Sequence, residues 1–371
     1  MPDRLAGDSA ARAVRRSIRV GPVSGSPQPV LVTGGTGFVG GWCIAKLLER
    51  GHPVRTTIRD LRREADVRAA VAAAGQDAGE RLTVLTGDLM SDDGWGEAVA
   101  GCAHVLHVAS PFPPEQPKNP DELIVPARDG ALRVLNAALA GGVERVVLTS
   151  SVAAIRGANA SSAAAPLTEA DWTEGDSVAL TPYTRSKAIA ERSAWERVRE
   201  AGAEKRLVTI CPGAIIGPTL SDDLSFSLQA IERLLNGMPV MPKLGFTFVD
   251  VRDVAELHIR AMSEPEAGGK RFIAADRFLW IEEVAAVLRD RLGEQASKVP
   301  TRVAPSFVIR LMARFNPALR SITGDLGMRT YLSSERARSI LGWDPIPVED
   351  SIVETAERLI EVGVVGSAAG G

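Results

Sequence analysis

The sequence predicts an α/β fold, with a doubly wound parallel sheet and a smaller, mostly helical C-terminal region. From residue 30 onward, short β-branched runs alternate with longer helical patterns, as in parallel strands joined by crossover helices. Runs such as "RVVLTS" at 145–150 are almost continuously apolar, which indicates strands buried on both faces. The regular alternation stops near residue 212, where Pro and Gly begin to interrupt the helical pieces.

Six strands are predicted before that point. The helix after the first strand starts near Phe38 and stops at Gly51, a residue typical of helix ends. Beyond residue 212, the stretch 246–262 returns as one strand followed by one helix. The six strands are expected at 29–33, 53–59, 82–89, 104–110, 145–151 and 206–213.

A glycine-rich loop follows the first strand directly. In "TGGTGFVGG", Gly34, Gly37 and Gly40 have the spacing G-x-x-G-x-x-G and open the first helix. Such glycines permit a tight turn and close approach of a pyrophosphate to the helix N-terminus, as in Rossmann-type dinucleotide sites. Thr36, Phe38 and Val39 lie inside this loop and are predicted to contact the cofactor. The alternative is a tight turn with a purely structural role.

The residue at the end of strand two indicates which dinucleotide fits. A carboxylate there would bind the ribose hydroxyls of NAD. This strand ends instead in Arg59, and a guanidinium pairs well with a 2′-phosphate. The sequence therefore favours NADP(H), with the adjacent Asp60 expected to point away. A solvated surface charge is the alternative interpretation of Arg59.

Asp88 and Leu89 close the third strand. The Asp88 carboxylate is suited either to accept a hydrogen bond from an adenine amino group or to cap a helix beginning near Asp92. Both interpretations remain open from the sequence, and both residues are candidate cofactor contacts.

Tyr183 and Lys187 lie one helical turn apart at the start of a predicted helix, so their side chains share a face. A phenol is a weak acid at neutral pH, and a nearby ammonium stabilises its ionised form. Ser151 ends strand five, at the sheet edge where ligands bind in open α/β folds. Thr149 and Ser150 are competing hydroxyls there. The glycine loop, strand-end serine and Tyr-x-x-x-Lys together predict an acid–base centre beside a bound dinucleotide.

With these motifs, the chain resembles the extended short-chain dehydrogenase/reductases, in the branch of dihydroflavonol reductases, cinnamoyl-CoA reductases and related aldehyde/ketone reductases. The resemblance covers about residues 30 to 360, through "LVTGGTGFVGG", "RVVLTSS", "YTRSK", "FTFVDVRDVAELHI" and "LSSERARSILGWDP". It implies catalytic roles for Ser151, Tyr183 and Lys187, and phosphate selection by Arg59. The cofactor contacts that it further implies are Val108, Ala109, Ser110, Pro212 and Ile215, besides Tyr183 and Lys187 themselves.

The resemblance weakens where a substrate would be recognised. Plant flavonoid reductases carry an asparagine a few residues after the serine, whereas this chain has Arg156 near that place. "CPGAIIGP" at 211–218 also departs from the usual Asn-Pro opening. Both departures favour a carbonyl substrate that is smaller and more apolar than a flavonoid.

The predicted function is NADPH-dependent reduction of aldehydes or ketones to alcohols, with Tyr183 as the proton donor. Alternatives are a 3β-hydroxysteroid dehydrogenase-like or a nucleotide-sugar epimerase-like enzyme. An NADP(H)-sensing binding protein is the non-enzymatic alternative, although it would be expected to lack Tyr183 or Lys187. We expect a small-molecule substrate and a monomer or homodimer.

Charge and composition exclude several other classes. The net charge of -3 gives no general attraction to nucleic acid or to anionic membranes, and no apolar run is long enough to span a bilayer. Three scattered cysteines are typical of a reducing cytoplasm. No cluster of histidines or carboxylates has metal-ligand spacing, so no metal is expected.

The predicted domain organisation has four parts. Residues 1–27 carry five arginines against two acids and are expected to be a disordered extension, and 366–371 a flexible tail. An NADP-binding Rossmann domain is expected over 28–211, with 247–278 returning to it. The substrate-binding region would comprise 212–246 and 279–365.

Overall fold

A parallel sheet of seven strands forms the centre of the molecule. The computed structural model describes residues 28–111, 117, 119–157, 160–175, 177, 180–221, 224–315 and 322–366. The sheet has the order β10-β6-β5-β4-β1-β2-β3, and every neighbouring pair is parallel. Its strands are β1 Val30–Thr33, β2 Val54–Ile58, β3 Leu82–Thr86, β4 His104–His107, β5 Arg145–Thr149, β6 Leu207–Pro212 and β10 Arg271–Ala274.

Helices cover both faces of this sheet, which confirms the predicted doubly wound α/β class. Their bounds are α1 Phe38–Glu49, α2 Glu64–Ala73, α3 Trp95–Val99, α4 Asp121–Ala140, α5 Ala153–Arg156, α6 Pro182–Glu200, α7 Phe226–Leu235, α8 Val251–Ser263, α9 Ile281–Leu292, α10 Ser306–Met312, α11 Glu335–Leu341 and α12 Val348–Glu361.

The two faces have separate apolar cores. On one face, α1, α2 and α8 bury residues such as Ile44 and Leu257 against the strands. On the other face, α3, α4 and α6 bury residues such as Leu135 and Val198. Because burial of apolar area is the main driving force of folding, these two cores hold the strand ends in fixed relative positions.

The chain after β6 forms a second, smaller layer. Its three-stranded sheet has the order β11-β9-β7, with β7 Ala214–Ile216, β9 Gly245–Asp250 and β11 Arg277–Trp280. Two short strands, β8 Met241–Pro242 and β12 Val303–Ala304, pair separately. Helices α7, α9 and α12 enclose a third apolar core with this sheet.

The stretch 247–278 is divided between the two layers. Helix α8 and strand β10 pack with the main sheet, whereas β9 pairs with β7 and β11 in the small one. The expected extension at 1–27 lies outside the described residues, as does the tail apart from Gly366. Among the described helices, none has both the length and the apolar character that crossing a membrane requires.

Candidate functional site

The glycine loop packs so tightly that Gly34, Gly35 and Gly40 have no room for a side chain. Gly34 has a φ of +76°, and its carbonyl oxygen accepts a hydrogen bond from the Gly37 amide at 2.9 Å. A Cβ atom on Gly40 would lie 2.3 Å from the same oxygen. Helix α1 therefore begins directly against the loop. Its first turn has no acidic residue and its N-cap has no side-chain hydrogen bond, which leaves the helix N-terminus suited to an anion.

The predicted contacts around this loop lie where the motif places them. Thr36 precedes α1, Phe38 and Val39 form its first turn, and Ala109 lies across from Gly34. A Cβ on Gly34 would be 3.1 Å from the Ala109 methyl group. The loop and the segment after β4 therefore pack against each other at the carboxyl edge of the sheet.

Thr33, the last residue of β1, connects the loop with the segment after β4. The sequence analysis did not single it out. Its hydroxyl oxygen accepts hydrogen bonds from the amides of Val108 and Ala109 at 3.1 and 3.0 Å. Its only proton is then available for the Nδ1 atom of His107, which is 2.9 Å away. Burial, with a smaller effect from Lys187, lowers the pKa of His107 to about 3, which is consistent with a neutral ring that accepts at Nδ1.

Arg59 lies one residue beyond the end of β2 and is exposed. In the part of the chain that the structure describes, its guanidinium makes no hydrogen bond or ion pair. The neighbouring Asp60 is engaged by Arg62, with an Nη2 to Oδ2 distance of 2.7 Å, and this contact lowers the pKa of the Asp60 carboxyl. The cation at the end of β2 is thus available to a ligand, while the adjacent carboxylate is neutralised.

The expectation that Asp88 caps a helix beginning near Asp92 is wrong. Helix α3 begins at Trp95, and its N-cap is Gly94 in the left-handed region. The Asp88 carboxylate instead accepts from the amide of Met90 at 2.9 Å, within a turn. The adjacent Leu89 packs on Gly130 of α4. The possible contact of Asp88 with adenine remains a prediction.

The end of β5 separates the three competing hydroxyls. Thr149 hydrogen-bonds to Nε2 of His258 on α8 at 2.7 Å, and Ser150 donates to Glu191 of α6 at 2.6 Å. Ser151 is 8% exposed and accepts from the amide of Ala153 at 3.1 Å. Within the described residues its hydroxyl proton is donated to no protein group. Ser151 is therefore the hydroxyl of the three that can serve a ligand.

Tyr183 and Lys187 lie in the first two turns of α6. The helix begins cleanly because Thr181 caps it by accepting from the amide of Thr184, and Pro182 occupies its first position. The Lys187 ammonium lies 5.9 Å from the centroid of the Tyr183 ring. It also donates to the Ser110 hydroxyl at 3.0 Å. The lysine thus bridges the candidate acid and the end of β4.

Pro212 and Ile215 lie where the chain leaves the main sheet. The Pro212 carbonyl, at the end of β6, accepts from the amide of Val152 at 3.0 Å, which places it beside the Ser151 segment. Ile215 lies in β7, and its carbonyl accepts from the Ser227 hydroxyl. The main sheet passes into the small sheet at these residues.

An ion pair between Arg156 and Asp325 lies at the C-terminal end of α5. The Nη1 to Oδ1 distance is 2.9 Å, and both side chains are about one-third exposed, at 32% and 34%. Sequence analysis placed Arg156 in the substrate region but did not identify its partner. In the described part of the chain, no group of three or more His, Cys, Asp or Glu side chains is arranged to hold a metal ion.

The family model described as "NAD dependent epimerase/dehydratase family" matches residues 30–275. The chain belongs to this family. The match spans the glycine loop, the end of β5 and the Tyr-x-x-x-Lys motif, which are the segments that carry the candidate site residues.

This family member is also similar to plant reductases over most of its length. It is 34% identical to a cinnamoyl-CoA reductase from Medicago truncatula over 341 residues, which are 90% of this chain and 95% of that protein. It is 34% identical to a dihydroflavonol 4-reductase from Hordeum vulgare, over 73% of this chain and 77% of that protein. The predicted resemblance to this reductase branch is therefore confirmed.

Solved structures have the same architecture. Gre2 from Candida albicans in complex with NADPH has a TM-score of 0.74 and 25% identity, covering 90% of this chain and 99% of that one. Vestitone reductase from alfalfa has a TM-score of 0.71 and 27% identity, covering 91% and 99%.

Proposed function

We propose that this protein is an NADPH-dependent reductase of aldehydes and ketones. The observation that carries the proposal is that Lys187, one turn from Tyr183 on α6, is bonded to the segment after β4, while Ser151 follows the neighbouring strand β5. Lys187 reaches from the helix of Tyr183 to Ser110, just after β4, while Ser151, just after β5, donates its proton to none of the described protein groups. The relatives named as reductases support the same reaction class.

The glycine loop, the N-terminus of α1 and the free guanidinium of Arg59 fit a dinucleotide with a 2′-phosphate. A Cβ on Gly40 would collide with the loop, so α1 begins directly against the loop, and its N-terminus would receive the pyrophosphate. The other residues proposed to contact the cofactor are Val108, Ala109, Ser110, Pro212 and Ile215. When bound, NADPH would supply a hydride to the carbonyl carbon.

The protein side chains would handle the carbonyl oxygen. Ser151 donates a hydrogen bond that orients and polarises it, and Tyr183 delivers the proton that completes the alcohol. The Lys187 ammonium would stabilise the tyrosinate left behind and, together with Ser110, would hold the ribose. Such preorganised donors act on charge that develops in the transition state.

The substrate region is proposed to comprise 212–246 and 279–365, and the NADP-binding part 28–211 with 247–278. Arg156 and Asp325 neutralise each other at the end of α5. A substrate that reaches the end of α5 would contact this ion pair, whereas flavonoid reductases carry an asparagine near the same position. We therefore propose a small, predominantly apolar carbonyl substrate. We also propose that the reaction takes place in the cytoplasm.

The test is NADPH consumption against a panel of aromatic aldehydes, diketones, steroids, flavanonols and cinnamoyl-CoA. The proposal expects turnover of at least one aldehyde or ketone, with a matching alcohol product and faster reaction with NADPH than with NADH. UDP-glucose serves as the comparison compound for epimerase chemistry. Epimerisation of UDP-glucose without reduction of any carbonyl compound would sink the proposal.

A further inference from the structure

Helix α6 carries a buried acid directly below the candidate catalytic residues. Tyr183, Lys187 and Glu191 follow one another at intervals of four residues, so they lie along one stripe of the helix. Glu191 is 1% exposed and faces the main sheet. An ionised carboxylate in such a place requires compensating partners, because burial of an unpaired charge is strongly unfavourable.

Those partners come from three strands. The Glu191 carboxylate accepts hydrogen bonds from Ser150 at the end of β5, at 2.6 Å, and from Thr209 in β6, at 2.7 Å. Arg271 of β10 donates through Nε at 2.8 Å and Nη2 at 3.1 Å, one bond to each oxygen. Trp195, one turn further along α6, adds a bond at 3.2 Å. One carboxylate thus fastens α6 to β5, β6 and β10.

The network continues through Arg271 into the segment that precedes α6. Burial is the largest single influence on the pKa of Arg271 and lowers it, but the charges and hydrogen bonds around the guanidinium, those of Glu191 foremost, together raise the pKa. The remaining guanidinium nitrogen donates to the carbonyl oxygens of Glu169 and Asp171, at 2.9 and 2.8 Å. Its central carbon lies 3.5 Å from the centroid of the Trp172 ring. All three guanidinium nitrogens of the cation are therefore hydrogen-bonded, and one of its faces packs on an aromatic ring.

Buried ion pairs contribute little net stability compared with well-packed apolar residues, and in some proteins they specify one arrangement instead. Here the arrangement is that of β5 relative to α6. Ser150 is bonded to Glu191, and the next residue is Ser151. Glu191 is two turns from Tyr183 on the same rigid helix. The Ser150–Glu191 bond thus connects the residue next to Ser151 with the helix that carries Tyr183.

We propose that Glu191 is a positioning residue that, through Ser150 and with Arg271, sets Ser151 against Tyr183 and Lys187. The inference rests on the proposed function, because it assigns a role in the same reaction. Displacement of a reacting group by about 1 Å can lower the rate on the order of a hundredfold. Loss of a hydrogen bond next to Ser151 is therefore expected to lower the turnover rate.

The test compares two hydroxyls that donate to the same carboxylate. Ser150→Ala and Thr209→Val each remove one buried hydrogen bond to Glu191, yet only Ser150 adjoins Ser151. We expect Ser150→Ala to lower kcat about tenfold, for the carbonyl compound reduced fastest in the panel. Its KM and the NADPH Kd should stay within about twofold. Thr209→Val should leave kcat within about twofold of the wild type, although its urea midpoint falls similarly.

A conservative variant and a catalytic variant complete the design. Ser150→Thr keeps the hydroxyl and should recover most of kcat, including in the case where Ser150→Ala does not fold. Equal losses of kcat in Ser150→Ala and Thr209→Val, or an unchanged kcat in Ser150→Ala, would overturn the positioning role. Tyr183→Phe is measured alongside. An inactive Tyr183→Phe with a fully active Ser150→Ala removes only the positioning role, whereas an active Tyr183→Phe removes the proposed proton donor.

Discussion

The proposed cofactor side and the proposed substrate side of the site are built in different ways. On the cofactor side, the glycine loop is determined by backbone contacts so close that a single Cβ on Gly40 would lie 2.3 Å from a carbonyl oxygen. On the substrate side, side chains distant in sequence meet, as Arg156 and Asp325 do across 169 positions. Backbone constraints leave few alternatives for the residue type, whereas a pair of side chains can be replaced by many others.

The strongest test of this difference is Gly40→Ala. The added methyl group would force the loop away from the N-terminus of α1, so we expect NADPH binding to weaken at least about a hundredfold, as loss of several phosphate hydrogen bonds would. Titration of protein fluorescence with NADPH measures the change. Gly96→Ala is the matched control, because a Cβ there has no neighbour within 4 Å. Equal affinities for the two variants would contradict the close approach of a pyrophosphate.

An intermediate effect is expected for Arg59→Asp. Loss of the guanidinium and gain of a carboxylate at the end of β2 should weaken NADPH about a hundredfold and NADH by less than about threefold, because only NADPH carries the 2′-phosphate. The two dissociation constants are measured side by side. Arg68→Ala removes one positive charge elsewhere, where Arg68 pairs with Glu64, and should change neither constant. An equal loss of affinity for NADPH and NADH would show that Arg59 does not select the 2′-phosphate.

The smallest effect is expected on the substrate side, for Arg156→Gln. Its ion pair with Asp325 is one-third exposed, so solvent screening limits its contribution to about 1 kcal/mol or less of unfolding free energy. We expect KM for the carbonyl compound to change severalfold while the NADPH Kd is unchanged. Steady-state kinetics with Arg128→Gln, whose pair with Asp129 is similarly exposed, provide the control. A change in NADPH affinity would place Arg156 on the cofactor side instead.

The same difference explains what the sequence could predict. The glycine spacing, the alternation of strands and helices, and Tyr-x-x-x-Lys are local patterns, and they predicted the main sheet and the candidate residues. The seventh strand at 271–274 was not predicted as part of that sheet. Glu191 and Arg271 were missed because they are 80 positions apart, and no local pattern connects a helical acid with a strand arginine. Ser150 and Ser151 became distinguishable only through their different partners.

The claim at the centre of this account is that Tyr183 delivers the proton during carbonyl reduction. The most direct measurement is the single-turnover rate of NADPH oxidation by Tyr183→Phe, at saturating NADPH, for the best substrate of the panel. Tyr331→Phe is the control, since the chain has only two tyrosines. We predict a loss of at least about a hundredfold for Tyr183→Phe, the scale of general acid catalysis, with NADPH affinity nearly unchanged. A rate above a few per cent of wild type (about 3% or more) would contradict the assignment.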